Sequence, residues 1–248
     1  MVKNILITEK QLKKLTEIDV ISGTQEFQKS WSIVFDYVNS KFEGKDIKKL
    51  IEKYFKQKLG VPLKDEEMTK IYGNFPYISG DIPMLENQDI LSNLAYFLAK
   101  KSEDYIILGN FGCLKWYRNY DIAYIFFDLE LQESIGFIKI NESHDNREYF
   151  EIPLVEVSSL DKEIKGYGYG KEMYLSLLDD VDILGSDKFL AKESLNIWVN
   201  VLPKYVYVFA KLHDKSGFVS MMGKNKPNYT EVKRYFATKN KEIFKDKI

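Results

Sequence analysis

Over residues 149–180 the chain passes from an apolar stretch through a polar linker into three glycines at every second position, and then into a helical pattern. Tyr149-Phe150-Glu151-Ile152-Pro153-Leu154-Val155-Glu156-Val157 reads as a strand weakened in its middle by Pro153, which has no N–H to give a ladder. Lys165-Gly166-Tyr167-Gly168-Tyr169-Gly170 follows, after which Met173, Tyr174, Leu177 and Leu178 recur at the spacing of one helix face. Three absent side chains let successive backbone N–H groups converge on an anion, and the next helix adds the positive end of its dipole. Strand, glycine turn and helix in that order suit a phosphate or pyrophosphate, although a plain loop capping a helix has the same composition.

The turn lacks the Lys-Ser or Lys-Thr ending of a P-loop and the G-x-G-x-x-G order of a dinucleotide fold. Together with the helix over 171–178, it resembles the acetyl-CoA-binding segment of the GNAT superfamily of N-acetyltransferases, whose signature is Arg or Gln, two residues, Gly, one residue, Gly or Ala. The resemblance makes Gly168 and Gly170 the signature glycines and puts Lys165 in the Arg or Gln place, where it keeps a positive charge but loses the planar fork. It implies that the loop of Lys165, Gly166, Gly168, Gly170 and Lys171 holds the pyrophosphate of coenzyme A. It also implies that the preceding strand splays from its neighbour, so that backbone groups near Val155, Val157 and Ser158 grip the thioester arm.

Acetyl transfer to an amine needs a deprotonated nucleophile, near-attack geometry, a donor for the developing oxyanion and a proton for the leaving thiolate. Glu156 is the first candidate base, and strand alternation equally allows it to point outward as a solubilising residue; Glu151 is the weaker carboxylate. Ser186-Asp187 falls where the chain returns to the sheet beside the cofactor cleft, so Asp187 either positions the amine or belongs to a helix-entry turn. Members of the superfamily often take a general acid from a tyrosine of the fourth helix; Trp198 stands in that region here, leaving Tyr207 or Tyr174 to supply a hydroxyl. That departure keeps a second function open: a non-catalytic GNAT-like binding or structural protein. A third is a nucleic-acid-associated acyltransferase, including a phage-encoded one. His144 is a surface histidine before it is a base, and Ser158-Ser159 and Cys113 have no nucleophile relay, which disfavours a hydrolase.

A chain of 248 residues can bury a sizeable core, and a net charge of -1 provides no global field to recruit nucleic acid. One cysteine excludes an internal disulfide framework, and only two histidines argue against a zinc site. Charges at Lys3, Glu9 and Lys10, and no run of about 18 apolar residues, point away from a signal peptide or a membrane span. The expected compartment is the cytoplasm of a cell or of a virus-infected host. The implied partners are a coenzyme A thioester and an amine acceptor, small molecule or protein, with homodimerisation through a sheet edge common in the resembled superfamily.

Helical spacing recurs through residues 1–103: Phe27, Trp31, Val34 and Val38; then Ile47, Leu50, Ile51, Tyr54 and Phe55 after Asp46 as cap; then Ile90, Leu91, Leu94, Phe97 and Leu98. After Asp104 the period changes, and strands are expected over 105–108, 123–129, 135–140 and 150–157. A short apolar run over 181–184, a helix over 193–202 stopped by Pro203 and a strand over 205–209 follow. The tail is expected to end in a helix, capped by Asn228 or Thr230, that holds Val232, Tyr235 and Phe236. The expected fold class is mixed α/β, with a mainly antiparallel central sheet and flanking helices. In terms of the resemblance it is a GNAT-like acyltransferase fold, with a helical elaboration over 1–103, a core over 104–210 and a basic extension over 211–248.

Overall fold

The computed structural model describes residues 30–42, 44–60, 88–141, 152–160, 167–187, 190–213, 217–222 and 226–244. Among these residues three helices come first: α1 (Ser30–Lys41), α2 (Gly44–Tyr54), prolonged by a π-type turn over Phe55–Leu59, and α3 (Gln88–Ala99). Val34, Phe35 and Val38, then Ile47, Ile51 and Phe55, then Leu91, Leu94 and Leu98 recur at helical spacing and merge into one apolar cluster. Asp46 lies in the first turn of α2, two residues inside its start.

A meander follows: β1 (Tyr105–Leu108), β2 (Phe111–Arg118), β3 (Asp121–Asp128), β4 (Glu133–Asn141) and β5 (Leu154–Leu160). Helix α4 (Tyr169–Leu177) leads to β6 (Ile183–Gly185), and α5 (Lys192–Asn196) runs through a π-type turn (Ile197–Val201) into β7 (Tyr207–Leu212), β8 (Phe218–Ser220) and β9 (Val232–Thr238). The nine strands form one sheet in the order β1-β2-β3-β4-β5-β6-β9-β7-β8, antiparallel except between β5 and β6. The mixed α/β class with a mainly antiparallel sheet, expected from the sequence, is the one the chain adopts.

Strand alternation assigns each face its core. Cys113, Tyr124, Phe126, Ile138 and Val155 pack with Tyr174 and Leu177 of α4 and with Trp198 on one face. Leu114, Trp116, Ile125, Phe127 and Phe137 pack under α1, α2 and α3 on the other. Leu154, Phe209, Phe218 and Phe236 form a third cluster at the β7–β9 end of the sheet.

Four elements differ from the sequence reading, the short strand β8 among them, which had no counterpart there. Strand β2 falls between the strands expected over 105–108 and 123–129, where none was read; its first four residues are all buried, so no alternation marks it. The strand before the glycine turn begins after Pro153 and reaches Leu160, because Pro153 has no N–H to give and contributes only its carbonyl, which accepts from Gly185 N at 2.8 Å. The expected terminal helix is β9, an inner strand between β6 and β7, and Asn228 caps only the short turn Tyr229–Glu231. Lys165, Gly166, Glu151, His144 and the parts of the expected helical elaboration over 1–29 and 61–87 lie outside the described residues.

Candidate functional site

Strands β5 and β6 meet at a single pair, Leu154 with Gly185. Beyond it the chain turns to β9: Ser186 N donates to the Tyr235 carbonyl at 2.8 Å, Ser186 Oγ accepts from Tyr235 N at 3.1 Å, and Arg234 Nη1 donates to the Ser186 carbonyl. No described strand pairs with the β6-side edge of residues 155–160. The result is a wedge with β5 as one wall and Ser186-Asp187 as the other, open towards the start of α4.

A β-bulge shapes the β5 wall. Lys139 pairs with Val157 and the next residue, Ile140, with Val155, so Glu156 is the extra residue. The bulge changes the facing: Val155 is buried on the α4 face and Val157 packs on the α1–α3 face. Ser158 returns to the α4 face and accepts from the Tyr174 hydroxyl at 2.9 Å. Glu156 is exposed, and both its oxygens are engaged: Oε1 accepts from Asn141 Nδ2 at 3.0 Å and Oε2 pairs with Lys139 Nζ at 2.8 Å. Partial burial opposes the charge on Lys139, but hydrogen bonds to Asp121 and Glu156 outweigh it and raise the amine above its ordinary pKa.

The glycine turn enters α4 through Gly168, whose φ of 88° is a left-handed conformation that L side chains rarely adopt. No side chain caps the helix; the Gly168 carbonyl accepts from Lys171 N at 3.1 Å and Glu172 N at 3.2 Å, and the first N–H groups have no intrahelical acceptor. A Cβ on Gly170 would lie 3.2 Å from Leu160 Cδ1 and 3.4 Å from Ile197 Cδ1, so its bare backbone lets α4 start between β5 and the turn after α5. Lys171 pairs with Glu172 at 2.6 Å and sits 4.6 Å from the centre of the Tyr205 ring.

Two contacts fix α4 in place. At its first residue, the Tyr169 hydroxyl donates to Asp128 Oδ2 at 2.7 Å; that hydrogen bond, with some burial, pushes the phenol up to about 12. Past its last turn, Asp180 Oδ2 accepts from Lys115 Nζ and from the Tyr124 hydroxyl, both at 2.6 Å. Burial works to raise Asp180, but the bonds from Lys115 and Tyr124 prevail and hold it below the usual carboxylate range. Neither contact was foreseen from sequence, and the second depends on the unrecognised strand β2.

Of the sequence-predicted catalytic residues, Glu156 stands two residues past Leu154, as the extra residue of the bulge, and Asp187 two past Gly185, where the chain has turned to β9. Asp187 is half-buried and lines a cavity of about 270 Å³. Tyr207 is not brought to them: it pairs with Thr238, three residues along β9 from Tyr235 or roughly 10 Å, and packs into the third cluster on the sheet's other face. Trp198 is fully buried, edge-on to Tyr174 with ring centres 5.5 Å apart, and its indole N–H has no well-formed hydrogen bond among the described residues. Burial raises the Tyr174 hydroxyl above its ordinary pKa.

No helix among the described residues is long and apolar enough to cross a membrane. No protein-family model matches the sequence, and no curated protein matches it. Among solved structures, the chain is similar to a protein assigned to the GNAT family of acetyltransferases from Bacteroides thetaiotaomicron, at 13% identity over 75% of this chain and 89% of that one, with a TM-score of 0.32. It is similar to a GNAT-family acetyltransferase from Staphylococcus aureus Mu50 at 9% identity, covering 79% and 93% of the two chains with a TM-score of 0.30. A protein of unknown function from Aquifex aeolicus VF5 is 16% identical over 60% of this chain and 79% of that one, with a TM-score of 0.31. Superpositions this loose carry no argument about chemistry; the mixed α/β fold rests on the strand order itself.

Proposed function

We propose that the chain is an N-acetyltransferase with a GNAT-like fold, moving an acetyl group from acetyl-CoA to an amine. The observation that carries the reading is the single-pair junction of β5 and β6, which opens a wedge towards the glycine-capped start of α4. The residues present fit the cofactor: the turn is open at Gly168, where an added Cβ would meet nothing within 4 Å, and the edge of residues 155–160 offers backbone groups with no strand partner among the described residues. Val155, Val157 and Ser158 would hold the arm of acetyl-CoA, while Gly168, Gly170 and Lys171, with Lys165 and Gly166 just before them, would hold its pyrophosphate. When bound, acetyl-CoA supplies an acyl group activated as a thioester.

The remaining work falls to side chains. Asp187, half-buried on the wall opposite β5 and itself held by a partner, is the carboxylate that would orient the incoming amine. Glu156 has both oxygens held by neighbours and is better suited to keeping the bulge in place than to taking a proton. The start of α4 would offer phosphate its unpaired N–H groups and the positive end of its dipole, while the Lys171 side chain is already paired with Glu172. Tyr174, Trp198 and Leu177, all buried, close the α4 side against water.

A second reading, a non-catalytic GNAT-like binding protein, is favoured by Trp198, which is no acid, and by Tyr207, which packs on the opposite face. Thiol release from acetyl-CoA, followed with a thiol-reactive dye across a panel of amines, separates the two. Amine-dependent release that is lost in Asp187→Asn supports transfer; cofactor binding with no amine-dependent release leaves the binding protein.

A further inference from the structure

The Tyr174 hydroxyl and Ser158 Oγ meet at 2.9 Å, with Tyr174 as the donor. Burial, and to a lesser extent the charge of Asp187, raise the Tyr174 phenol against the hydrogen-bonding side chains of Ser158 and Trp198, so it keeps the proton it donates. Tyr174 is only 2% exposed and has no second proton to give. Ser158 thus accepts on its core side, while its own O–H has no acceptor among the described residues.

The direction of that bond decides what Ser158 can do. An oxygen that accepts is less basic, and its O–H becomes the better donor. Ser158 is therefore a poor nucleophile and a good hydrogen-bond donor. It is half-buried, on the α4 side of β5, within the stretch that has no described strand on its β6 side. Leu160, two residues further, borders the start of α4 at Gly170.

Two strand residues span roughly 7 Å. A pyrophosphate at the start of α4 would bring the middle of the coenzyme A arm past Ser158 and leave the thioester deeper, towards Leu154 and Gly185. The acceptors in the middle of that arm are amide carbonyls. We infer that the Ser158 hydroxyl donates to an amide carbonyl of the arm, with Tyr174 as the positioning residue behind it, so that the arm and not only the phosphates sets the affinity. The inference rests on the acetyltransferase reading and adds a side-chain contact to those of the β5 backbone. No proton is transferred and no bond breaks in this contact.

Calorimetry on the full chain tests it with two ligands: acetyl-CoA, and 3′-phospho-ADP, which carries the phosphates without the arm. The expected result is that Ser158→Ala weakens acetyl-CoA by about tenfold, the loss of one donor to a buried carbonyl, and leaves 3′-phospho-ADP unchanged. Ser158→Thr should restore the affinity, and Tyr174→Phe should weaken acetyl-CoA by a smaller factor and 3′-phospho-ADP not at all. Because Ser158→Ala strands the Tyr174 hydroxyl in the core, the Ser158→Ala/Tyr174→Phe pair, which lacks both hydroxyls, is titrated beside it and should show the same loss. A hydroxyl that served only to pin α4 to β5 would, on removal, weaken both ligands alike. That result, or unchanged affinity for acetyl-CoA in Ser158→Ala, overturns the inference and leaves the transferase reading standing. If the native chain binds no acetyl-CoA, the inference falls together with that reading.

Discussion

Asp121 on β3 and Glu156 on β5, strands separated by β4, are joined through two shared donors. Lys139 Nζ reaches Asp121 at 2.7 Å and Glu156 at 2.8 Å, and Asn141 Nδ2 reaches the same two carboxylates at 2.9 and 3.0 Å. The four groups cross three strands at the bulge and hold its extra residue in place. Because Lys139 and Glu156 are each more than a third exposed, Lys139→Met should cost no more than about 1 kcal/mol in a urea titration. Glu156→Gln should slow amine transfer by less than about tenfold, since a general base contributes roughly a hundredfold or more; a hundredfold loss would make Glu156 the base.

The bond from Tyr169 to Asp128 should act within a defined pH window. Asp128 is partly buried, which raises it, but bonds from Tyr169, Leu131 and Glu130 prevail and hold it below its ordinary 3.8; Tyr169 is raised from 10.0 to about 12. A depressed carboxylate contributes stability above 3.8 that is lost as the pH falls through its folded value, and a raised phenol contributes stability below 10.0 that is lost on rising towards 12. The stability difference between the native chain and Tyr169→Phe, measured by denaturant titration, should therefore be level from pH 5 to 9, on the order of 1 kcal/mol, and shrink below about pH 4. A difference that persists unchanged at pH 2 would show that the ring, and not the bond, is responsible.

Gly109 turns the β1–β2 hairpin with a φ of 60° directly against α4, where a Cβ would lie 2.2 Å from Ser176 Oγ. Gly109→Ala should destabilise the chain by about 2–4 kcal/mol, combining left-handed strain with overpacking. Adding Ser176→Ala should recover only part of the loss, because the strain belongs to the backbone and the Ser176 Cβ, 3.0 Å from the added Cβ, remains. Equal stabilities for the single and double variants would contradict this division.

Cys113 is fully buried on β2, and burial pushes its thiol far above the ordinary range. Iodoacetamide should label it only through opening of the sheet, so the labelling rate should follow denaturant as unfolding does. Rapid labelling in native buffer would contradict the packing of β2 against α4.

Much of the fold is legible in the sequence. Helices α1 to α3 announce themselves because each buries one stripe, and β3, β4 and β7 because β-branched and aromatic residues cluster between turn signals. Strand β2 hides because its sheet faces are both covered, which erases the period of two. In β9, the spacing of Val232, Tyr235 and Phe236 fits a helix as well as a strand; pairings of Gly185 with Phe236 and of Leu184 with Ala237, some fifty residues apart in the chain, decide it. The same distance in sequence concealed the cavity, which joins Asp187 to Arg234. Glu156 and Asp187 were named from local context, yet what surrounds them is set by Lys139, Asn141 and Ser186, whose roles only the register reveals.

The central claim is that the wedge and the glycine turn bind acetyl-CoA, and a calorimetric titration tests it most directly. The account predicts saturable binding with a Kd on the order of micromolar, about -8 kcal/mol, weakened at least about tenfold in a folded Gly168→Val variant, whose β-branched side chain opposes the left-handed entry to α4. No heat of binding in the native chain, or equal affinity in the variant, would contradict it.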